Sequence, residues 1–383
     1  MRKLILAFSV FAVFSSFAAA LEWGGRFYNN TTVSGETLLR FKIKQTDNLN
    51  LWLKVPISKD GMNYFAGEMF YQFKFDNTDI ANESIVNTVD FNLLKFVTRF
   101  RLGNRGLLSI NTGRFALADS TSMIFSQVCD GVLVKYSNKR LSAMAYGGYT
   151  GLINANSVSV INKEDSNYRP AKNKVYSLSA KYIPFGISVT FPSLFANQTL
   201  SVQGWSFFDL NNDNYNRFYG IVSLEGYLTK NLFYKLNSAV GTVNFADISN
   251  LSNLNITAYF TKSFSMNFGG MYASGNQGKI SQFKGFTLLT STLAFDEPQY
   301  SSMLKMDLEA AKTFKKIAVI SGGSAVVFDM NENGFAYNGF QVQLNAAYNI
   351  FNDLQIAASI SQYVGNENKN DKTQIALKAV VVF

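Results

Sequence analysis

The chain of 383 residues carries no histidine and one cysteine, Cys129. That removes Ser-His-Asp and Cys-His nucleophilic catalysis, imidazole acid–base work and most zinc or haem sites. It also leaves no internal disulfide. No GxSxG elbow, Walker A loop or GxGxxG fingerprint is present; Gly275-Asn276-Gln277-Gly278-Lys279 comes nearest to a phosphate loop but lacks both the spacing and a Ser/Thr after the lysine. Asp329, Asn331, Asn333 and Gly334 open like a calcium loop, and Asp209, Asn211 and Asp213 make half of one. Position twelve of the first is Phe340, where a bidentate glutamate is needed, and Asn, Asp and Gly are the usual residues of turns. The expectation is therefore no enzyme, no metal and no cofactor.

The remaining chemistry is that of fixed charge. Assigned by strand phase, Glu36, Arg40, Lys42, Lys54, Glu68, Arg99, Arg101, Lys135, Lys181, Lys235, Lys305, Asp307, Glu309 and Lys378 share a polar face, and Arg114 can join them. Basic groups outnumber acidic ones. Rows of Arg/Lys facing Asp/Glu across a water-filled constriction make a transverse field that sorts solutes by charge, and a basic surplus favours anions. Arg99 and Arg101 depend on a strand whose alternation is broken at Leu93-Leu94, and a slip of one residue inverts a face.

These charges need elements to hold them. The chain is 47% hydrophobic and 15% aromatic, with 35 Phe and 19 Tyr, yet only 16% charged, well below the roughly 25% of soluble proteins. Part of its surface is thus expected to avoid water. Arg2 and Lys3, an apolar stretch over 4–17 and Ala18-Ala19-Ala20 read as a secretory signal peptide, leaving 21–383 as one domain. After residue 20 no apolar run is long enough for a spanning helix. Period-two alternation appears instead: Ile375, Leu377, Ala379, Val381 and Phe383 fall on one face, and Phe340, Val342, Leu344, Ala346 and Tyr348 on another, with polar residues between them. A closed sheet, apolar outside and polar inside, accounts for the length, the low charge and the absence of any domain break.

Short and long connections alternate along the chain. If 183–197, with Pro184 and Pro192, is one irregular connection and 33–44 pairs with 48–57, the count is 18 strands; 16 and 20 are the alternatives. Phe207, Phe208, Phe218, Tyr219, Phe328, Phe340 and Tyr363 are expected to form an aromatic girdle at one rim. The fold class is all-β, a transmembrane antiparallel up-and-down barrel.

Alternation, turn rhythm, leader and a last strand ending in Phe383 resemble the Gram-negative outer-membrane β-barrels, most closely the porins. The resemblance implies residence in the outer membrane of a diderm bacterium, contact with its lipid, and recognition of the terminal strand by the outer-membrane assembly machinery. It implies a passive channel for small hydrophilic solutes, with a weak anion preference and no nucleic-acid partner, and leaves monomer and homo-trimer both open. The alternative is a surface adhesin or binding protein working through its external loops. Segment 274–300 is too apolar for an exposed loop, with Phe283, Phe286, Leu288, Leu289, Leu293 and Phe295. It is expected to fold into the barrel and place Lys279, Lys284, Asp296 and Glu297 at a constriction; the rival is a hairpin adding two strands.

Overall fold

The computed structural model describes residues 21–37, 40–77, 84–103, 105–152, 158–161, 167–168, 180–211, 214–276, 280–288, 293–295, 300–315, 317–331, 334–366 and 371–383; the side chains of Glu36, Thr37, Arg40, Phe41, Asn167 and Tyr168 lie outside that description, as do residues 1–20, where the leader is expected. The strands are β1 (Glu22–Thr37), β2 (Arg40–Pro56), β3 (Tyr64–Asn77), β4 (Ser84–Leu102), β5 (Gly106–Ala118), β6 (Ser126–Ser137), β7 (Ser142–Tyr149), β8 (Val160–Ile161), β9 (Asn167–Tyr168) and β10 (Tyr182–Phe195). Then follow β11 (Gln198–Asp209), β12 (Arg217–Thr229), β13 (Leu232–Val243), β14 (Ser249–Thr261), β15 (Phe264–Ala273), β16 (Met303–Phe314), β17 (Ala318–Asn331), β18 (Gly334–Asn349), β19 (Leu354–Gly365) and β20 (Lys372–Val382). Eighteen of them form one antiparallel sheet in chain order; β8 and β9 pair only with each other, so β7 pairs with β10, and β20 closes on β1.

Closure gives each of the eighteen strands a partner on both sides and leaves that sheet without an edge strand. The pleat sets the two faces. On β10, Ile183, Phe185, Ile187 and Val189 stand exposed outside while Tyr182 and Ser188 are buried inside; on β18, Phe340, Val342 and Leu344 are outside and Gln341 inside. Such an exterior faces a bilayer, since in water it would be one continuous apolar patch.

The strand count of 18 stands, but two of its premises do not. Segment 183–197 is no irregular connection: β10 runs through it. Its two prolines fit because β10 pairs with β7 only over Phe185–Thr190. Pro184 precedes that ladder, and Pro192 sits in the register break between Phe191 and Phe195, where no ladder donor is required. The first hairpin is also displaced. β1 pairs with β2 from Glu22↔Lys54 to Thr37↔Arg40, which puts Gln45-Thr46-Asp47-Asn48 in mid-strand instead of at a turn. Among the described residues of 274–302 there is one isolated bridge, Ile248↔Ile280, and no added strand.

Candidate functional site: the lumen and its infolded loops

Two connections at the same end of the barrel fold into the lumen. The first is short, residues 119–125 between β5 and β6. The Asp119 carboxylate accepts from the backbone N–H groups of Thr121, Ser122, Ile124 and Phe125 at 2.7–3.1 Å, which winds the loop tightly around it. The loop reaches across to the wall of β11–β13, where Ser120 N–H donates to Gln203 at 3.0 Å, the Ser120 and Ser223 hydroxyls meet at 2.8 Å, and Lys235 Nζ donates to the Ser120 carbonyl at 3.0 Å.

The second is 274–302, between β15 and β16, and it locks onto the first. The Phe286 and Thr287 N–H groups donate to the Ile124 carbonyl at 2.7 and 3.1 Å, and Ser126 N–H donates to the Thr287 hydroxyl at 2.9 Å. Phe286 is wholly buried and stacks on Phe207 with centroids 3.8 Å apart; Phe125 packs against Trp205 at 5.0 Å. Arg217, also fully buried, donates to the Gly285 carbonyl at 3.0 Å with its guanidinium 4.5 Å from the Phe286 ring. Further along, Ala294 N–H donates to Gln343 at 2.8 Å on the β18 wall, and Leu293 borders a cavity of about 270 Å³ with Ser265, Asn267, Glu309, Ser321 and Asn345. The described residues of the segment therefore reach the β11–β12 wall at 284–286 and the β16–β18 wall at 293–294. Lys284 lies on the first of these, its carbonyl accepting from Tyr219 Oη at 2.7 Å; Lys279, Asp296 and Glu297 lie outside the described residues.

Part of the expected girdle serves this packing instead. Phe207, Tyr219 and Tyr363 are 0%, 5% and 8% exposed and point inward, whereas Phe208 and Phe340 do stand outside. Register explains the difference: Tyr219 pairs with Trp205, and both share the phase of the buried Ile221. Loop 119–125 is an infolded connection that the alternation of short and long connections does not mark. The signal was its apolar run Met123-Ile124-Phe125.

The charged residues sort by position. Lys42 shares the inward phase of Asn48 and Asn50, and the side chains of Glu36 and Arg40 lie outside the described residues. Glu68 faces inward, accepting from Asn50 at 2.6 Å and Asn92 at 3.0 Å. A register break between Glu68 and Met69 leaves Asn92 unpaired in the ladder and resets the phase of β4. Lys95, Arg99 and Arg101 thereby line the lumen, while Phe96, Phe100 and Leu102 turn out. Arg99 lies 5.4 Å from the Tyr64 ring. Lys305, Asp307 and Glu309 face inward on β16, between the exposed Met306 and Leu308; Lys305 is buried beside the Tyr300 ring. Lys181 precedes β10 and is exposed at the rim, outside the interior set.

Arg114 departs furthest from a pore-lining role. Pairing of β4 with β5 ends at Leu94↔Arg114, beyond which β5 pairs only with β6. Gly113 makes this parting with φ +120°, and a Cβ there would stand 2.3 Å from the Leu94 carbonyl oxygen. Arg114, 0% exposed, fills the cleft with Nη1 3.0 Å from Asp90 and Nε 3.1 Å from Asp130. Cys129, equally buried, packs beside it against the Phe115 carbonyl.

β4 and β16 are ten strands apart one way around the eighteen and eight the other, so they face each other. Lys95 stands seven residues before the end of β4 at Leu102, and Asp307 seven before the end of β16 at Phe314. Both ends meet short turns, so Lys95 and Asp307 lie at about the same height on opposite walls, with Glu309 two residues and Arg99 and Arg101 four and six residues nearer the short-turn rim.

No protein-family model and no curated protein matches the chain. Among solved structures it is similar to Pseudomonas aeruginosa OccK5 (OpdH), 12% identical with a TM-score of 0.66 over 95% of this chain and 98% of that one. The outer membrane protein OpdK of the same organism is 9% identical, with a TM-score of 0.61 over 94% and 99%; a further OpdK structure contains vanillate. At such identities the likeness is one of fold, and the fold is the closed antiparallel barrel of these outer-membrane proteins.

Proposed function

We propose that the protein is an outer-membrane porin, a passive channel for small hydrophilic solutes with a weak preference for anions. The observation that carries this reading is the charge on two opposite lumen walls, Lys95, Arg99 and Arg101 on β4 facing Asp307 and Glu309 on β16, with Lys95 level with Asp307, in a lumen narrowed by two infolded loops. A permeating ion crosses a field directed from wall to wall, and the larger basic row enriches anions beside it. Selection is steric and electrostatic, with no covalent step. The vanillate in the OpdK structure is a carboxylate, and a solute of that class suits a lumen with this bias. Display of the loops for adhesion is less favoured, because segments 119–125 and 280–288 spend their apolar residues on the inside wall.

The test is single-channel recording of the mature chain in a planar bilayer, with the reversal potential read across a salt gradient. Stable open steps with a reversal potential on the anion side support the reading. A folded barrel that never opens overturns it.

A further inference from the structure

Two arginines are fully buried among the described residues, and they are balanced differently. Arg114 lies between the carboxylates of Asp90 and Asp130. Arg217 has no carboxylate in ion-pair range among the described residues. Nη1 donates to the Gly285 carbonyl at 3.0 Å. Nε and Nη2, which carry three of the five guanidinium N–H groups, are buried without an acceptor, and so is the hydroxyl of Tyr215, two residues back along the chain. Around the guanidinium stand the rings of Tyr182, Tyr215 and Phe286, with centroids 5.3, 4.7 and 4.5 Å from its carbon. Ring faces attract a cation, but they do not accept N–H groups directed along the guanidinium plane. The carboxylates at this end of the barrel are spent on backbone: Asp119 winds its own loop, and Asp209 accepts from the N–H groups of Asn211 and Tyr215 at 2.8 and 3.1 Å. A buried charge without a counter-charge is among the costliest arrangements a fold can hold. The site therefore calls for an acceptor that is itself negative, since a water would take the N–H groups and leave the charge standing.

We propose that Arg217, through Nε and Nη2, and Tyr215, through its hydroxyl, hold a small inorganic anion of the size and charge of chloride. All these groups can donate, and an anion accepts from each of them. The enclosure sets the size. Arg217, Tyr182, Tyr215 and Phe286 are all buried, so the cage closes against an organic carboxylate and suits a single halide. The position gives the ion a consequence. Arg217 is the residue of β12 that grips the infolded segment at Gly285 and Phe286, so an anion that neutralises it also fixes that segment to the wall. The site goes beyond the channel reading and does not rest on it.

The experiment has two readouts, neither of which measures conductance, so their failure leaves the channel reading standing. Crystals of the mature chain grown with bromide in place of chloride are expected to show an anomalous peak in contact with the Arg217 guanidinium and Tyr215 Oη. In solution, the midpoint of the heat-dependent gel shift of the folded barrel should rise by a few degrees and level off as chloride replaces gluconate at constant ionic strength, because a ligand held only by the folded state stabilises it. Arg217→Met, which keeps length without charge, should lose that dependence. Tyr215→Phe, which leaves the arginine in place and spares the fold, should need severalfold more chloride for the same rise. No anomalous peak at Arg217, a wild-type midpoint indifferent to chloride, or a rise equal in the wild type and in Tyr215→Phe overturns the proposal.

Discussion

Replacing Lys95, Arg99 and Arg101 together by alanine should cut the anion-to-cation permeability ratio by about fourfold at 0.1 M salt and by less than twofold at 1 M. The magnitude follows from where the charges stand. A unit charge at about 8 Å from an ion in water contributes roughly 0.5 kcal/mol, and screening at 0.1 M, with a Debye length near 10 Å, reduces this to about 0.2 kcal/mol. An ion level with Arg99 stands farther from Arg101 and Lys95, two and four residues away along β4, so the three sum to about 0.4 kcal/mol, and because a cation gains what an anion loses, the ratio moves by about 0.9 kcal/mol, or a factor of about four. At 1 M the Debye length is near 3 Å and the same charges yield only about 0.1 kcal/mol. The assay is the reversal potential of the triple variant and the wild type at both concentrations. Replacing Asp307 and Glu309 by alanine should move the ratio the opposite way. An unchanged ratio at 0.1 M, or a change of equal size at both salts, would refute the opposed-row argument.

The infolded segment invites a direct perturbation. Deleting 280–295 should raise single-channel conductance, and Phe286→Ala, which removes a fully buried ring stacked on Phe207, should make the current flicker between levels; identical traces from wild type and deletion would show that the segment does not limit flow. Arg114→Ala leaves Asp90 and Asp130 buried without their cation, a loss of about 3–5 kcal/mol to be read as a lower temperature for the heat-dependent gel shift, and an unshifted transition would mean that the cleft between β4 and β5 admits water. Gly113→Ala forces an L residue into φ +120° against the Leu94 carbonyl and should cost at least about 1 kcal/mol by the same measurement.

The barrel could be read from alternation because a pleated strand between lipid and water has only two environments. Ile375, Leu377, Val381 and their neighbours report the outer one at every second position. The reading fails where a residue violates that rule for a local reason. Pro184 and Pro192 looked like breaks in a strand, yet each occupies a place where a neighbouring ladder stops and no N–H is missed. Gln45-Thr46-Asp47-Asn48 looked like a turn because polar groups occupy both phases. Two of them face the lumen, and Gln45 and Asp47 face outward with Phe27 and Leu51. Arg99 and Arg101 have the lumen phase because the unpaired Asn92 resets it.

The inward aromatic residues hold the other lesson. Trp205, Phe207 and Tyr219 lie on a face that should be polar if it met only water, so their side chains call for an apolar partner inside the lumen. The sequence holds such partners in two connections, Ile124-Phe125 and Phe283 with Phe286, too apolar to remain outside. Neither set is stable alone: the wall rings would face the lumen water, and the loop rings the outside. Docked, they bury one another and exclude water from the carbonyls of Ile124 and Gly285, which then find partners in the N–H groups of Phe286 and Thr287 and in Arg217. Apolar residues on the lumen phase of consecutive strands, matched by an apolar run in a connection at their loop end, thus mark an infolded loop before any coordinates are known. By that criterion the short loop 119–125 belongs to the constriction as much as the longer segment does.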